Sequence, residues 1–403
     1  MNILIINAHS SKNKGDAGII LSIIDSLEKY IPECNIKIKS KFPEIDKYAY
    51  GKVVNESIHN FTSNMKPGRF NKLLIIIKLL ICFFIKNNKD GDYEWADIVV
   101  SCGGGFLLSH GYSAGTLQHL VQIKTAINYK RKVIVYSQSI GPFNNKLMKL
   151  LTKITLDNVH MIFVREAISR NILKDLGVSA PVELVPDSAF SMKSTESEKV
   201  NNLIKTIAES NKDKPLVGIT VRDWNFPNMN KPMYFRNKYI ESMQKLILFL
   251  EKNLECKVLL MPQVLGPNNF NDDRVISREI LSGITSKAKL IDIDLNPREL
   301  KYFYSKMDMF IGTRMHSNIF ALSNKIPTVA INYEHKTQGI MESLNLSKYV
   351  IDINDITPES IIEKASLCWE HKEQLKEVLE SDIDDVVINS QKPALHIRNI
   401  GPN

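Results

Sequence analysis

The sequence predicts an α/β protein of two doubly wound, Rossmann-like domains. Three observations carry this: short apolar runs alternate with helical patterns along both halves, polar or glycine-rich turns follow the runs, and one polar stretch interrupts the alternation near the middle. With 403 residues, 44% of them hydrophobic, the chain can bury two cores rather than one.

The first run, Ile3 to Ile6, is followed by a polar loop and an apolar-periodic stretch from Ala17 to Tyr30, which reads strand, loop, helix. Further strands are expected at Ile36 to Ile38, Ile98 to Cys102, Val133 to Tyr136 and Met161 to Val164, with helices at Thr116 to Tyr129 and Lys146 to Leu156 between them. Such alternation builds a mostly parallel sheet with helices on both faces. After Pro186 the chain turns polar, and Lys193 to Lys214 is rich in Ser, Glu, Lys and Asn, with a weak helical pattern at Val200 to Ile207. The boundary falls here, giving an N-terminal domain over 1–195, with an insertion at about 42–92, and a C-terminal domain over 196–403. The second alternation places strands at Leu216 to Val221, Val258 to Met261, Leu290 to Asp292, Met309 to Ile311 and Thr328 to Ile331. Two such sheets facing across a cleft make a GT-B-like architecture, with ligands expected outside the carboxyl ends of the strands.

The insertion holds an apolar run, Leu73 to Ile85, flanked by Lys66, Arg69 and Lys72 before and by Lys86 and Lys89 after. A span needs roughly 20 apolar residues, so this run is too short, and Lys78 interrupts it. It is expected to be either a core helix or a helix lying in a headgroup layer.

A net charge of +8 favours anionic partners, but neither a basic tail with interleaved aromatics nor a nucleic-acid-binding motif is present, so nucleic acid is not expected. Five scattered cysteines, none in a CxxC pair, suggest neither a disulfide framework nor zinc. The start, Met1 to Asn7, reads as a buried strand rather than a signal peptide, so a cytoplasmic protein is expected, in peripheral contact with the inner membrane face if Leu73 to Ile85 lies in headgroups.

Several strand ends carry candidate ligand groups. Asn13, Lys14, Gly15 and Asp16 open the first helix, where unpaired N–H groups favour an anion or a hydroxyl network; alternatively Asp16 only caps the helix. The loop lacks a second glycine and a Lys-Ser/Thr ending, so it is no triphosphate loop. Gly103, Gly104 and Gly105, followed by Phe106, allow close backbone approach, and Ser137 and Gln138 open the turn that ends at Gly141-Pro142. Arg165 ends a strand beside Glu166, and Arg222 ends another beside Asp223; each either binds an anion or pairs with its neighbour, and Arg165 is preferred. The densest cluster is Gly312 to Ser317. With Thr313 as N-cap, Arg314 and His316 enter the first helical turn, where an imidazolium is disfavoured unless an anion binds beside it. Lys336, in the segment after Thr328 to Ile331 that also holds Tyr333, is a second cation for the same anion or a solvated lysine. No HExxH motif and no paired cysteines indicate a metal.

These motifs together resemble the polysaccharide pyruvyl transferase family: Asn13 to Asp16, Gly103 to Phe106, Ser137 to Pro142, Val164 to Glu166, Val185 to Phe190, and Arg314 to His316 followed by Tyr333, Lys336 and Gly339. The resemblance implies phosphoenolpyruvate as donor, no further cofactor, and pyruvate transferred as a ketal onto two hydroxyls of a saccharide, often lipid-linked. It places the donor site at the interdomain cleft, carries catalytic roles onto His316, Arg165 and Lys336, and carries substrate binding onto Arg314, Tyr333 and the loop residues above. A nucleotide-sugar glycosyltransferase, or a silent carbohydrate-binding protein of the same fold, is the competing expectation.

Overall fold

The structure, a computed structural model, describes residues 1–57, 69–84, 90–109, 113–209, 214–227, 229–266 and 271–402. It divides into two compact units. Unit 1 holds Met1–Ser11, Ile19–Met192 and Val387–Asn403; unit 2 holds Lys12–Gly18 and Lys193–Val386.

Unit 1 contains β1 (Asn2–Ala8), β2 (Asn35–Ser40), β3 (Val53–Glu56), β4 (Ile98–Ser101), β5 (Gly104–Ser109), β6 (Lys132–Phe143), β7 (Met161–Val164) and β8 (Val182–Leu184). All pair in parallel in the order β3-β2-β1-β4-β6-β7-β8, with β5 laid on β6. Alternate side chains from the strands, Leu4, Ile6, Val99, Val133 and Val135, share a core with Leu117, Leu120 and Val121 of the helix Ala114–Asn128. Ser113 caps that helix by accepting from Thr116 N–H, and Asn145 caps Lys146–Leu156 by accepting from Leu147 and Met148.

Unit 2 contains β9 (Leu216–Thr220), β10 (Lys257–Leu260), β11 (Lys289–Leu290), β12 (Met309–Gly312), β13 (Thr328–Asn332) and β14 (Val350–Asp352), parallel throughout in the order β11-β10-β9-β12-β13-β14. This is the 3-2-1-4-5-6 winding, whose order reverses between β9 and β12, where a crevice opens at the carboxyl ends. The corresponding reversal in unit 1 lies between β1 and β4.

Some expectations need correction. The polar segment Ser137 to Pro142 is the second half of the twelve-residue strand β6, not a loop, and the triple glycine runs into β5. The strand expected at Leu290 to Asp292 is instead the two-residue Lys289–Leu290. The chain does not stay in the second unit after the boundary. Its final helix, Lys392–Ile400, buries Ala394 and Ile397 and packs on β6, and Gln391 just before it accepts from Lys29 and Tyr30.

Most of the apolar run lies in the helix Arg69–Phe84, which buries one face and exposes the other. Ile75, Leu79 and Phe83 are buried in the unit 1 core, whereas Leu73, Ile77, Ile81 and Phe84 are exposed. Ile85, Lys66, Lys86 and Lys89 lie outside the described residues.

Candidate active site

In unit 2 the segment Lys12–Gly18 is stitched by its backbone to the loop after β10: Lys14 N–H donates to Gln263 C=O and Leu265 N–H donates to Lys12 C=O. The cap of the first helix, Lys14–Tyr30, is Asn13 rather than Asp16. Asn13 Oδ1 accepts from Gly15 N–H at 3.0 Å and Asp16 N–H at 3.4 Å, and its amide donates to the Asp16 carboxylate at 2.7 Å. Lys14 reaches Asp294, and burial lowers its pKa. Gly15 has a steric role. A Cβ there would stand 2.5 Å from Nδ1 of His316 and 2.7 Å from its Cβ, so the imidazole lies flush on the Gly15 backbone.

His316 occupies the second position of the helix Met315–Ser323, whose N-cap is Arg314, not Thr313. Thr313 is withdrawn from capping because its hydroxyl pairs with Tyr239 Oη at 2.8 Å and its N–H donates to Thr220 C=O across to β9. Arg314 is aimed by Asp273, which accepts from its Nε at 3.2 Å and also from Nη2. Asp273 is itself fixed by the N–H groups of Gln263 and Val264 at 3.1 and 2.9 Å. The arrangement leaves Nη1 of Arg314 without a partner among the described residues.

Across the reversal, Arg222 follows β9. Its guanidinium lies over the Tyr333 ring at 4.2 Å and the Trp224 ring at 4.9 Å, and it forms no ion pair with a carboxylate among the described residues. Lys336 is nine-tenths buried in the first turn of the helix His335–Ser343, with Glu334 at 3.5 Å, so it is helical rather than a loop lysine. Arg222, Arg314, His316 and Lys336 therefore follow β9, β12 and β13, three neighbouring strands, with Tyr333 among them.

The unit 1 candidates are differently placed. Arg165 is buried: it donates to Ser139 Oγ at 2.7 Å and to Asp187, with Glu166 at 3.6 Å, so two carboxylates already neutralise it. Ser137 and Gln138 are buried inside β6, where they donate to Pro186 and Gly104 carbonyls. Gly103 and Gly104 have local reasons. A Cβ on Gly103 would meet the Tyr136 and Ser137 carbonyls at 2.6 and 2.8 Å, and Gly104 has φ +138°. Gly105 continues into β5 half-buried. Phe106 stacks on His9, centroids 3.4 Å apart, and the Nε2 atoms of His9 and His119 are 3.1 Å apart. Burial, helped by Lys41, holds His119 down at about 4. Sequence reasoning passed over this stack and over Trp224, because nothing local marks a ring whose partner lies a hundred residues away.

A model of the polysaccharide pyruvyl transferase family matches residues 13–335, from the Asn13 cap to the helix that carries Lys336. The chain belongs to that family. It is accordingly a transferase. The amylovoran biosynthesis protein AmsJ of Erwinia amylovora is 24% identical over 428 residues, covering 100% of both chains. Among solved structures, UDP-GlcNAc 2-epimerase from Neisseria meningitidis, bound to UDP-GlcNAc, has a TM-score of 0.61 at 14% identity, covering 98% of this chain and 99% of that one. A glycosyltransferase from Rickettsia africae has a TM-score of 0.58 at 14% identity over 99% and 98%. The spinosyn rhamnosyltransferase SpnG has 0.54 at 10% identity over 99% and 100%. At these identities the structural likeness concerns fold alone, the two-sheet α/β architecture of GT-B glycosyltransferases and of the epimerases. No helix among the described residues is long and apolar enough to cross a membrane.

Proposed function

We propose that this transferase moves pyruvate from phosphoenolpyruvate onto two hydroxyls of a saccharide in polysaccharide biosynthesis, as a ketal. The observation behind the reading is the set of cations after β9, β12 and β13 in a chain of the pyruvyl transferase family. Phosphoenolpyruvate carries a carboxylate and a phosphate. Arg314, held by Asp273 through Nε and Nη2, and Arg222 are suited to clamp them, with Lys336 at the start of the helix after β13 as a further cation and Tyr333 under Arg222. Arg222 takes the place given to Arg165, whose charge is already spent on Asp187 and Glu166.

In this reaction the His316 imidazolium gives its proton to the methylene carbon, which becomes methyl, and positive charge develops at the neighbouring carbon. One sugar hydroxyl bonds to that carbon and loses its proton. The carbon–oxygen bond to phosphate then breaks, and the second hydroxyl bonds in its place and loses its proton. One of the two released protons restores His316 and the other leaves with phosphate. Asn13, Gly15 and Asp16 support the imidazole and offer a polar floor.

The test is phosphate release from phosphoenolpyruvate with a panel of lipid-linked saccharides, run beside nucleotide sugars. Saccharide-dependent release supports the reading. Turnover of a nucleotide sugar without it points to glycosyl transfer, and binding without either to a silent protein.

A second reading concerns the workplace, which we place at the cytoplasmic membrane face. No acidic residue occurs between Glu56 and Asp90, while six Lys or Arg do, and the helix there exposes Leu73, Ile77, Ile81 and Phe84. Such a stripe with surrounding cations suits an anionic bilayer. Polar substitution of Ile77, Ile81 and Phe84 is expected to reduce sedimentation with anionic vesicles while leaving stability unchanged. Binding equal to the native chain refutes it.

A further inference from the structure

The turn after β9 and the start of the helix Pro232–Lys252 enclose a cleft of about 400 Å³ lined by Arg222, Asp223, Trp224, Asn225, Met233 and Arg236. That volume lies in the range of ligand pockets, about 300–1,000 Å³. One wall is apolar: the indole of Trp224, and Met233, which is 62% exposed although it is a large hydrophobic side chain. The other is polar and already rigid. Arg236 Nε donates to Asp223 at 2.7 Å, and the same guanidinium grips Glu279 at 2.8 and 2.6 Å, so neither group must be ordered when a ligand enters.

A flat apolar wall facing fixed planar donors and acceptors suits a pyranose ring, which has a C–H face and a rim of hydroxyls. Location adds a second argument. Trp224 lies 5.0 Å from Tyr333, and Arg222 covers both rings, so the cleft shares a wall with the residues assigned to phosphoenolpyruvate. We infer that this cleft is the acceptor subsite of the transferase, taking one hexopyranose ring with its C–H face on Trp224 and its hydroxyls toward Asp223, Arg236 and Asn225. The inference rests on the pyruvyl-transfer reading for its choice of ligand.

The test is saturation-transfer NMR on the full chain with methyl glycosides of galactose, glucose and mannose, without phosphoenolpyruvate. At least one is expected to receive transfer on the protons of one ring face. Trp224→Ala should weaken that glycoside about tenfold, while Trp224→Phe retains most of the binding. Asn225→Ala, at an exposed position, supplies a milder variant should Trp224→Ala fold poorly, and is expected to weaken the same glycoside less. Equal binding by native protein and a folded Trp224→Ala variant overturns the inference, as does transfer from no glycoside. So does a Trp224-dependent signal displaced by uridine diphosphate, which would make the cleft a nucleotide site. The two readings fail separately: saccharide-dependent phosphate release with no Trp224-dependent sugar binding removes only the subsite, and sugar binding at Trp224 without phosphate release removes only the pyruvyl reaction.

Discussion

The two sheets wind alike, yet the points where their strand order reverses hold opposite chemistry. In unit 1, β1 and β4 lead to a neutral, self-paired cluster: His9 stacks on Phe106 and shares a hydrogen bond with His119. In unit 2, β9 and β12 lead to Arg222, Arg314 and His316, cationic or able to become so. Topology says where a crevice forms; the charge of the side chains that line it is what tells the two crevices apart. The strand-end arginines make the same point. Arg165 has two carboxylates and a hydroxyl, whereas Arg222 has only aromatic faces among the described residues.

The sharpest way to break this comparison is to remove the proposed proton donor, His316, from the cationic side. His316→Ala is expected to keep its fold and lose about 10²- to 10⁴-fold in phosphate release, the usual contribution of a positioned acid. Near-native turnover in a folded variant would rule His316 out as the acid.

The arginines are then to be compared directly. Arg165 and Asp187 side chains are 3% and 1% exposed, so Arg165→Ala leaves a buried carboxylate and should cost about 3–5 kcal/mol of stability. Arg222→Ala should leave the melting temperature nearly unchanged and weaken phosphoenolpyruvate at least about tenfold, as expected of a charge-assisted bond. Calorimetry and thermal melts on both variants decide it. The opposite pattern would restore the anion-binding role to Arg165.

What the sequence made legible follows the same line. Lys146–Leu156 and Met161–Val164 are read to the residue, because an amphipathic period and a continuous apolar run are local properties. The short strands Val182–Leu184 and Val350–Asp352 were not, since three residues carry no period. The order of the site motifs was legible; their partners were not. Thr313 reads as a cap until Tyr239 takes its hydroxyl, and Arg165 reads as a partner of Glu166 or of an anion, with nothing to announce its ion pair with Asp187. The return of Lys392–Ile400 to β6 is tertiary packing, which no local pattern encodes.

A smaller effect tests whether His316 depends on its support. Gly15→Ala puts a methyl where the imidazole now lies, and either the ring or the loop must move. Turnover should fall about 10- to 100-fold, since a displacement of about 1 Å suffices for such losses, while phosphoenolpyruvate affinity, proposed to rest on Arg222 and Arg314, holds. Equal losses in affinity and turnover would mean that the whole anion site had shifted.

The smallest effect belongs to the neutral crevice and to pH. His119 is buried and its folded pKa is pushed down to about 4 from 6.5, chiefly by burial and secondarily by Lys41. The unfolded chain therefore binds the proton first as pH falls. The stability tied to a neutral His119 is complete above about pH 6.5 and is lost as pH falls towards about 4, at up to about 1.4 kcal/mol per pH unit. His9, which pairs with it and whose pKa burial also lowers, adds to the same slope. Urea melts between pH 7 and 4 should show this decline, and His119→Gln, which does not titrate, should flatten it. An unchanged slope in that variant would place the acid sensitivity elsewhere and remove the evidence that this crevice is kept neutral by its own packing.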